Sequence, residues 1–386
     1  MNRALRSLAL ALPSLAVSAC TVLLAPAPPA APIRAIWITR FDYHDAADVE
    51  RAVADCADLG FDTILFQVRG NGTSFWNSAI EPRAAEIAPG FDPLAVACEA
   101  AHRRGLAIHA WVNVMPSWRG ATAPDDPSQL YRAHPEWHWY RADGTRQPLA
   151  PDFYVSLNPC RDDVRDYLVR VFREIVARHD VDGLHLDYVR FVDDLVPADE
   201  RDAYPQDPET LAAFRERTRT RPELDVRAWR AFKADAVTRL VDAIRRMVRE
   251  ESAKRGRPLL LSAAVSAAPA GAQDVHQRDV LRWVRERLVD VVFPMNFTPD
   301  VALFAARARA WREFAGDFPV ATGMMFDEKH DGGVIEDEIL LARRESPHAC
   351  VFAYSALFPR RGEADDRVRQ DRRAIVRRQL GSAPAR

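Results

Sequence analysis

The run Asp182-Gly183-Leu184-His185-Leu186-Asp187-Tyr188-Val189-Arg190-Phe191 decides how the chain is read. Residues two apart on a strand share a face, so Leu184, Leu186 and Tyr188 point one way while His185 and Asp187 point the other. A strand that carries an acid at its end calls for a reason. Either Asp187 caps a turn and pairs with a neighbouring arginine, or it does chemistry.

Working outward from residue 182, short β-branched runs alternate with amphipathic helical segments, the pattern of a parallel sheet built from βα units. Eight strands are expected, at 34–40, 62–69, 106–114, 182–190, 258–266, 290–297, 318–325 and 349–357. Helices fit between them at 46–59, 92–104, 161–179, 228–253, 276–288, 300–314, 333–345 and 364–379. Eight such units make an α/β fold, a (β/α)8 TIM barrel, in a single domain over residues 33–386; a doubly wound open sheet is the other arrangement. Two connections are long, Met115 to Pro159 after strand 3 and Phe191 to about Arg227 after strand 4. Both lie on the side where a barrel carries its active site. The first holds Trp118, Tyr131, Trp137, Trp139, Tyr140, Phe153 and Tyr154, whose rings either stack on sugar C–H faces or hold the loop down as a hydrophobic cluster.

Strand alternation selects the candidate site. Apolar Ile64, Phe66, Val68, Ile108, Ala110, Val112 and Leu186 belong against the helices, which turns Gln67, Arg69, His109, Trp111, Asn113, His185 and Asp187 toward the barrel axis. The same logic turns Asn296 inward from strand 6. Buried polar groups need partners, so a structural network accounts for any one of them. Polar groups from four strands gathered at one end fit a functional site better. Arg69 is expected to neutralise Asp187 and hold it ionised.

The bulk numbers narrow the partner. With 53 Lys+Arg against 55 Asp+Glu, a formal charge of −2, no global field attracts nucleic acid or an anionic membrane. The N-terminus reads as a secretory signal over residues 1–19, with Arg3 and Arg6 before a short apolar run from Leu8 to Ala19. Its end, Val17-Ser18-Ala19-Cys20, resembles the bacterial lipobox, which implies lipid attachment at Cys20. Thr21 in the next position implies an outer-membrane destination facing the periplasm. Residues 20–32 then form an Ala/Pro tether, so membrane contact is expected only through Cys20. Cys56, Cys98, Cys160 and Cys350 form an even set that permits disulfides, but Cys56 and Cys98 sit in apolar stripes of helices. Their spacing shows no metal pattern, and no metal or cofactor is expected. A metal-dependent hydrolase ligated by His109, His185 and Asp187 is the weakest alternative.

Several stretches together resemble one family: Arg34-Ala35-Ile36-Trp37, Phe66-Gln67-Val68-Arg69-Gly70, Phe91-Asp92-Pro93-Leu94, His109-Ala110-Trp111-Val112-Asn113, His134-Pro135-Glu136-Trp137, Leu157-Asn158-Pro159, Asp182 to Tyr188, and Pro294-Met295-Asn296-Phe297. In order and as a set they are similar to the glycosyl-hydrolase-like family 10 proteins. The resemblance implies a barrel-type glycosidase, and some members are linked to cleavage of peptidoglycan glycan strands stripped of peptides. Carried over by position, Asp187 would then be the catalytic carboxylate, acting as nucleophile or base, with Arg69, Asn113, His185 and Asn296 around it; strand alternation adds Gln67, His109 and Trp111, and the aromatic connection adds Trp137, as candidate glycan contacts. Hydrolysis of a glycosidic bond normally takes two carboxyls. Asp274, Asp300, Asp327 and Glu328 are the candidates for the second, and each also has the sequence context of a helix cap or surface loop. The alternative is a non-catalytic glycan-binding lipoprotein on a degenerate barrel.

Overall fold

A computed structural model describes residues 31–191, 196–270 and 276–380. The expected signal segment, Cys20, most of the tether and Asp274 lie outside the described residues. Eight parallel strands form the main sheet: β1 (Arg34–Ile38), β2 (Thr63–Arg69), β3 (Ala107–Asn113), β6 (Gly183–Asp187), β7 (Leu260–Val265), β8 (Val291–Pro294), β9 (Ala321–Met325) and β10 (His348–Phe352). The two missing numbers belong to a small antiparallel pair, β4 (Pro116–Arg119) and β5 (Tyr154–Ser156), inside the first long connection. The strands pair β1-β2-β3-β6-β7-β8, and β1 pairs with β10, which pairs with β9. Isolated bridges at Val292–Val320 and Met295–Gly323 join β8 to β9 and nearly close a (β/α)8 barrel. All eight strands lie where the chain's periodicity places them.

Two apolar clusters separate the faces of this sheet. Ile64, Phe66, Val68, Ile108, Ala110, Val112, Leu184 and Leu186 pack outward with the helices. Trp37, Leu65, Trp111, Val291, Phe293, Ala321 and Cys350 fill the barrel axis. The four described cysteines are buried and free, consistent with small hydrophobes filling core volume.

The helices start for a common local reason. Eight of them open on an aspartate N-cap (Asp45, Asp92, Asp207, Asp225, Asp279, Asp300, Asp331 and Asp366), each accepting a first-turn backbone N–H. This satisfies orphan donors and complements the helix dipole. Where the helix comes next after a strand of the sheet, as with Asp45, Asp92, Asp300 and Asp331, the capping acid lies beyond that strand's C-terminal end while being occupied by capping.

Several expected boundaries shift. The last strand ends at Phe352, and Tyr354–Leu357 is a helical turn rather than strand. The expected helix 276–288 is shorter, Val280–Arg285. The long connections are not devoid of regular structure: the first carries the β4–β5 pair, and the second carries a helix at Pro208–Thr218 and the start of the Val226–Arg255 helix. Most aromatics of the first connection hold it down. Trp139 packs on Phe191 and Tyr204, and Tyr131 packs on His138 and under Arg146.

Candidate active site

A cleft of about 270 Å³ opens at the C-terminal end of the barrel, with Asp187, Gln67, Trp111 and Asn113 in its floor and wall. Strand β6 places Asp187 beside Asn113 of β3. The chain then leaves the sheet abruptly, because Tyr188 adopts φ 47°, a left-handed conformation rare for a bulky residue. That turn aims the Tyr188 N–H at Asp187 Oδ1, 2.7 Å away. It also swings the Tyr188 ring onto Tyr154 and Phe153, with ring centroids 5.4 and 6.2 Å apart.

Asp187 is buried to 8% exposure, and that burial raises its carboxyl pKa above the usual aspartate value. The Tyr188 N–H, Arg190, Arg278 and the Trp111 indole N–H oppose the rise. The cations facing Asp187 are therefore Arg190 and Arg278, not Arg69. Arg278 is itself buried, donating to the Ala264 carbonyl at 3.2 Å and to Ser266 Oγ at 2.9 Å, and burial pushes it down to about 9.

Arg69 is a correction to the sequence reading. A β-bulge between Gln67 and Arg69 slips the register against β3, and a bulge re-aims the following side chain. Arg69 thus faces outward, where it forms a fully buried pair with Glu81 at 2.8 Å and donates to the carbonyls of Asn113, Val114 and Pro116. Tyr167 Oη donates to the same carboxylate at 3.1 Å. The group expected to keep Asp187 ionised is holding the β2–β3 edge instead.

His185 and His109 lie beneath the cleft, among the barrel-axis side chains. His185 Nε2 accepts the Trp37 indole N–H at 3.1 Å, which leaves Nδ1–H to donate to Ser262 Oγ at 2.9 Å. Burial holds His185 well below the usual imidazole range and pushes His109 down to about 4. With both His185 nitrogens engaged, the three-ligand set His109, His185 and Asp187 cannot form, and among the described residues no group of three or more His, Cys, Asp or Glu is disposed to hold a metal ion.

Asn296 is a second correction. On β8 it is Val291 and Phe293 that fill the axis, so the inward positions beyond the strand are Met295 and Phe297, both of which line the cleft. Asn296 points outward, its Nδ2 donating to the Phe304 carbonyl at 3.0 Å. Both faces of that strand are apolar, so alternation gave no phase and polarity was a false guide. Trp137 is a third. Its indole donates to Asp163 at 3.0 Å and its ring packs on His134 and Tyr167, against the Asp162–Arg178 helix and away from the cleft.

Of the aromatics of the first long connection Tyr154 lines the cleft, and Arg40, Phe41, Tyr188, Arg190, Met295, Phe297 and Phe352, which were not among the expected site residues, line it too. Most come from just past strand ends, where alternation stops, and the only available signal was their position there. Gln67 and Asn113 are joined at 3.2 Å, and Gln67 Oε1 accepts the Arg40 backbone N–H at 3.0 Å.

Among the described lining residues Asp187 is the one carboxylate. Asp300 is held as an N-cap by the Leu303 N–H. Asp327 pairs with His330 at 2.6 Å beside a neighbouring cavity, and Glu328 is exposed there.

A nearly closed (β/α)8 barrel with a buried carboxylate in an aromatic-walled cleft at its C-terminal end is the architecture of glycosidase-type proteins. Residues 32–324 match the glycosyl hydrolase-like 10 family, and the chain belongs to that family. It is 25% identical over 327 residues to the glycosyl hydrolase DigH of Escherichia coli O6:H1, covering 73% of this chain and 70% of that protein. Against DigH of E. coli K12 the identity is 29% over 191 residues, 40% of this chain and 41% of the relative. The glycosyl hydrolase YngK of Bacillus subtilis is 27% identical over 139 residues, 34% and 26% of the two chains. Among solved structures the fold is similar to the PgaB (BpsB) glycoside hydrolase domain from Bordetella bronchiseptica, with TM-score 0.63, 13% identity and coverage of 85% and 96%. It is also similar to an α-L-fucosidase from Paenibacillus thiaminolyticus, with TM-score 0.60, 15% identity and coverage of 90% and 49%.

Proposed function

We propose that the protein hydrolyses a cell-envelope polysaccharide, the glycan strands of peptidoglycan, with Asp187 as nucleophile or base. The observation that carries this is a buried carboxylate, the one among the described lining residues, at the floor of a cleft walled by Trp111, Tyr154, Tyr188, Phe297 and Phe352. Aromatic faces take up the C–H faces of a sugar ring, and the amides of Gln67 and Asn113 suit its hydroxyls. Phe41, 52% exposed at the mouth, extends the aromatic surface outward.

The Tyr188 N–H fixes one carboxylate oxygen and leaves the other for the anomeric carbon or an attacking water. Arg190 and Arg278 favour the ionised form that a nucleophile or base needs. His185 and His109 act through packing, setting the floor on which Trp111 and Asp187 rest. The proton donor to the leaving oxygen is a second carboxyl, which the described cleft-lining residues do not include.

The test is release of reducing ends from sacculus-derived glycan strands by wild type and by Asp187→Asn, with folding checked by circular dichroism. Turnover by wild type and none by the variant supports the reading; undiminished turnover by the variant refutes it. The single described carboxylate also favours a second reading, a glycan-binding barrel that does not hydrolyse. Wild type would then bind the strands with no reducing ends released.

We further propose that the protein is anchored by lipid on Cys20, facing the periplasm. Radiolabelled palmitate should label wild type and not Cys20→Ser; continued labelling of the variant overturns this.

A further inference from the structure

Arg40 follows β1 and lines the cleft at 5% exposure. Its guanidinium has a built seat. A Cβ on Gly70 would collide with it, and the Asn113 Nδ2–H donated to the Gly70 carbonyl at 3.1 Å fixes that glycine in place. Gln67 holds the Arg40 backbone, as described above. Arg40 Nη2 donates to Tyr154 Oη at 3.1 Å, and the group lies 4.3 Å from the Phe41 ring centroid. What it lacks among the described residues is an anion. No described carboxylate lies within 4 Å of it, and its buried Nε has no hydrogen-bond partner. Arg190 and Arg278 already offset Asp187, so Arg40 is the cleft cation without a described counter-charge.

A guanidinium removed from water without a counter-ion is costly, and its planar fork matches a carboxylate. Resting on the glycan-hydrolase reading, we propose that Arg40 is a specificity-determining residue that binds a carboxylate carried by the sugar, so that the cleft selects acidic glycans over neutral ones. In strands stripped of peptide this carboxylate is the lactyl group freed when the peptide is removed; in a polyuronate it is the C6 carboxyl. Aromatic neighbours alone would explain the stacking of Arg40 but not a buried guanidinium in the cleft wall with no described counter-charge.

The test compares stripped peptidoglycan strands, the same strands with their carboxyls converted to amides, and an oligouronate, by KM from initial rates and by Kd from equilibrium binding. Wild type should favour free carboxylates by about ten- to a hundredfold, the worth of a charge-assisted hydrogen bond. Preference for stripped strands over the oligouronate assigns the lactyl group, and the reverse assigns the uronate. Arg40→Gln should bring the carboxylate-to-amide ratio near one, mainly through KM, and Arg40→Lys should keep part of it. Equal treatment of carboxylate and amide strands by wild type overturns the proposal, as does a ratio unchanged in a folded Arg40→Gln. If Arg40→Gln does not fold, the wild-type ratio and Arg40→Lys decide. Carboxylate-selective binding without turnover refutes hydrolysis and leaves this inference standing; turnover without selectivity does the opposite.

Discussion

On the proposed hydrolase reading, replacing Asp187 by Asn separates catalysis from stability, because the two effects are expected to have opposite signs. Burial raises the Asp187 pKa in the folded chain, so the native state binds a proton that the unfolded state has already released. Stability therefore falls as pH rises from the unfolded value toward and through the folded one. Each tenfold rise in proton affinity costs about 1.4 kcal/mol at neutral pH. With an unfolding entropy of roughly 2.1 cal/mol/K per residue, that corresponds to about 2 °C in Tm for a chain of this length. Asparagine keeps an oxygen for the Tyr188 N–H, 2.7 Å from Oδ1, and carries no charge. Asp187→Asn should thus match wild type in Tm at low pH and exceed it near pH 7, by about 2 °C for each tenfold. Hydrolysis should drop by at least two to four orders of magnitude, the range for loss of a positioned acid–base group. Differential scanning fluorimetry from acid to neutral pH and reducing-end release measure the two. A variant less stable than wild type at neutral pH would show that ionised Asp187 forms a net stabilising pair with Arg190 and Arg278, and would refute the burial argument.

Three further outcomes are expected. Glu81→Gln leaves Arg69 fully buried beside a neutral partner and should cost about 3–5 kcal/mol in denaturant unfolding; a loss under 1 kcal/mol would mean that the carbonyls of Val114 and Pro116 suffice. A Cβ on Gly183 would stand 2.8 Å from the His109 ring and from the Leu260 carbonyl, so Gly183→Ala should cost about 1–3 kcal/mol, while an unchanged Tm would show that β6 can shift. His109, pushed down to about 4, stays neutral in the fold while the unfolded chain takes up a proton below about pH 6.5. Wild type should therefore lose about 3 kcal/mol between pH 6.5 and 4 on this account. His109→Phe should flatten that slope, and an unaltered slope would refute the assignment.

The sequence by itself determined the eightfold alternation of strands and helices, which favours a barrel, and the outward apolar face of β2, β3 and β6. That information is local: apolar side chains every second residue in β2, β3 and β6, and aspartate caps at the helix starts, mark these elements without reference to any long-range contact. It also brought Asp187, Gln67, Asn113 and Trp111 to one cleft, because each lies on a regular strand whose phase can be counted from its apolar neighbours. Counting failed where regularity stops. A single-residue bulge turned Arg69 away from Asp187 to Glu81, a residue twelve positions on with no visible link to it. Tyr188 at positive φ ended the alternation and brought in Arg190, and the doubly apolar β8 hid the phase that puts Met295 and Phe297 inward in place of Asn296. Only the tertiary structure decided these, and with them the charge around Asp187. Burial and the company of cations are properties of the closed barrel, where strands far apart in sequence share one end, and no window of sequence contains them.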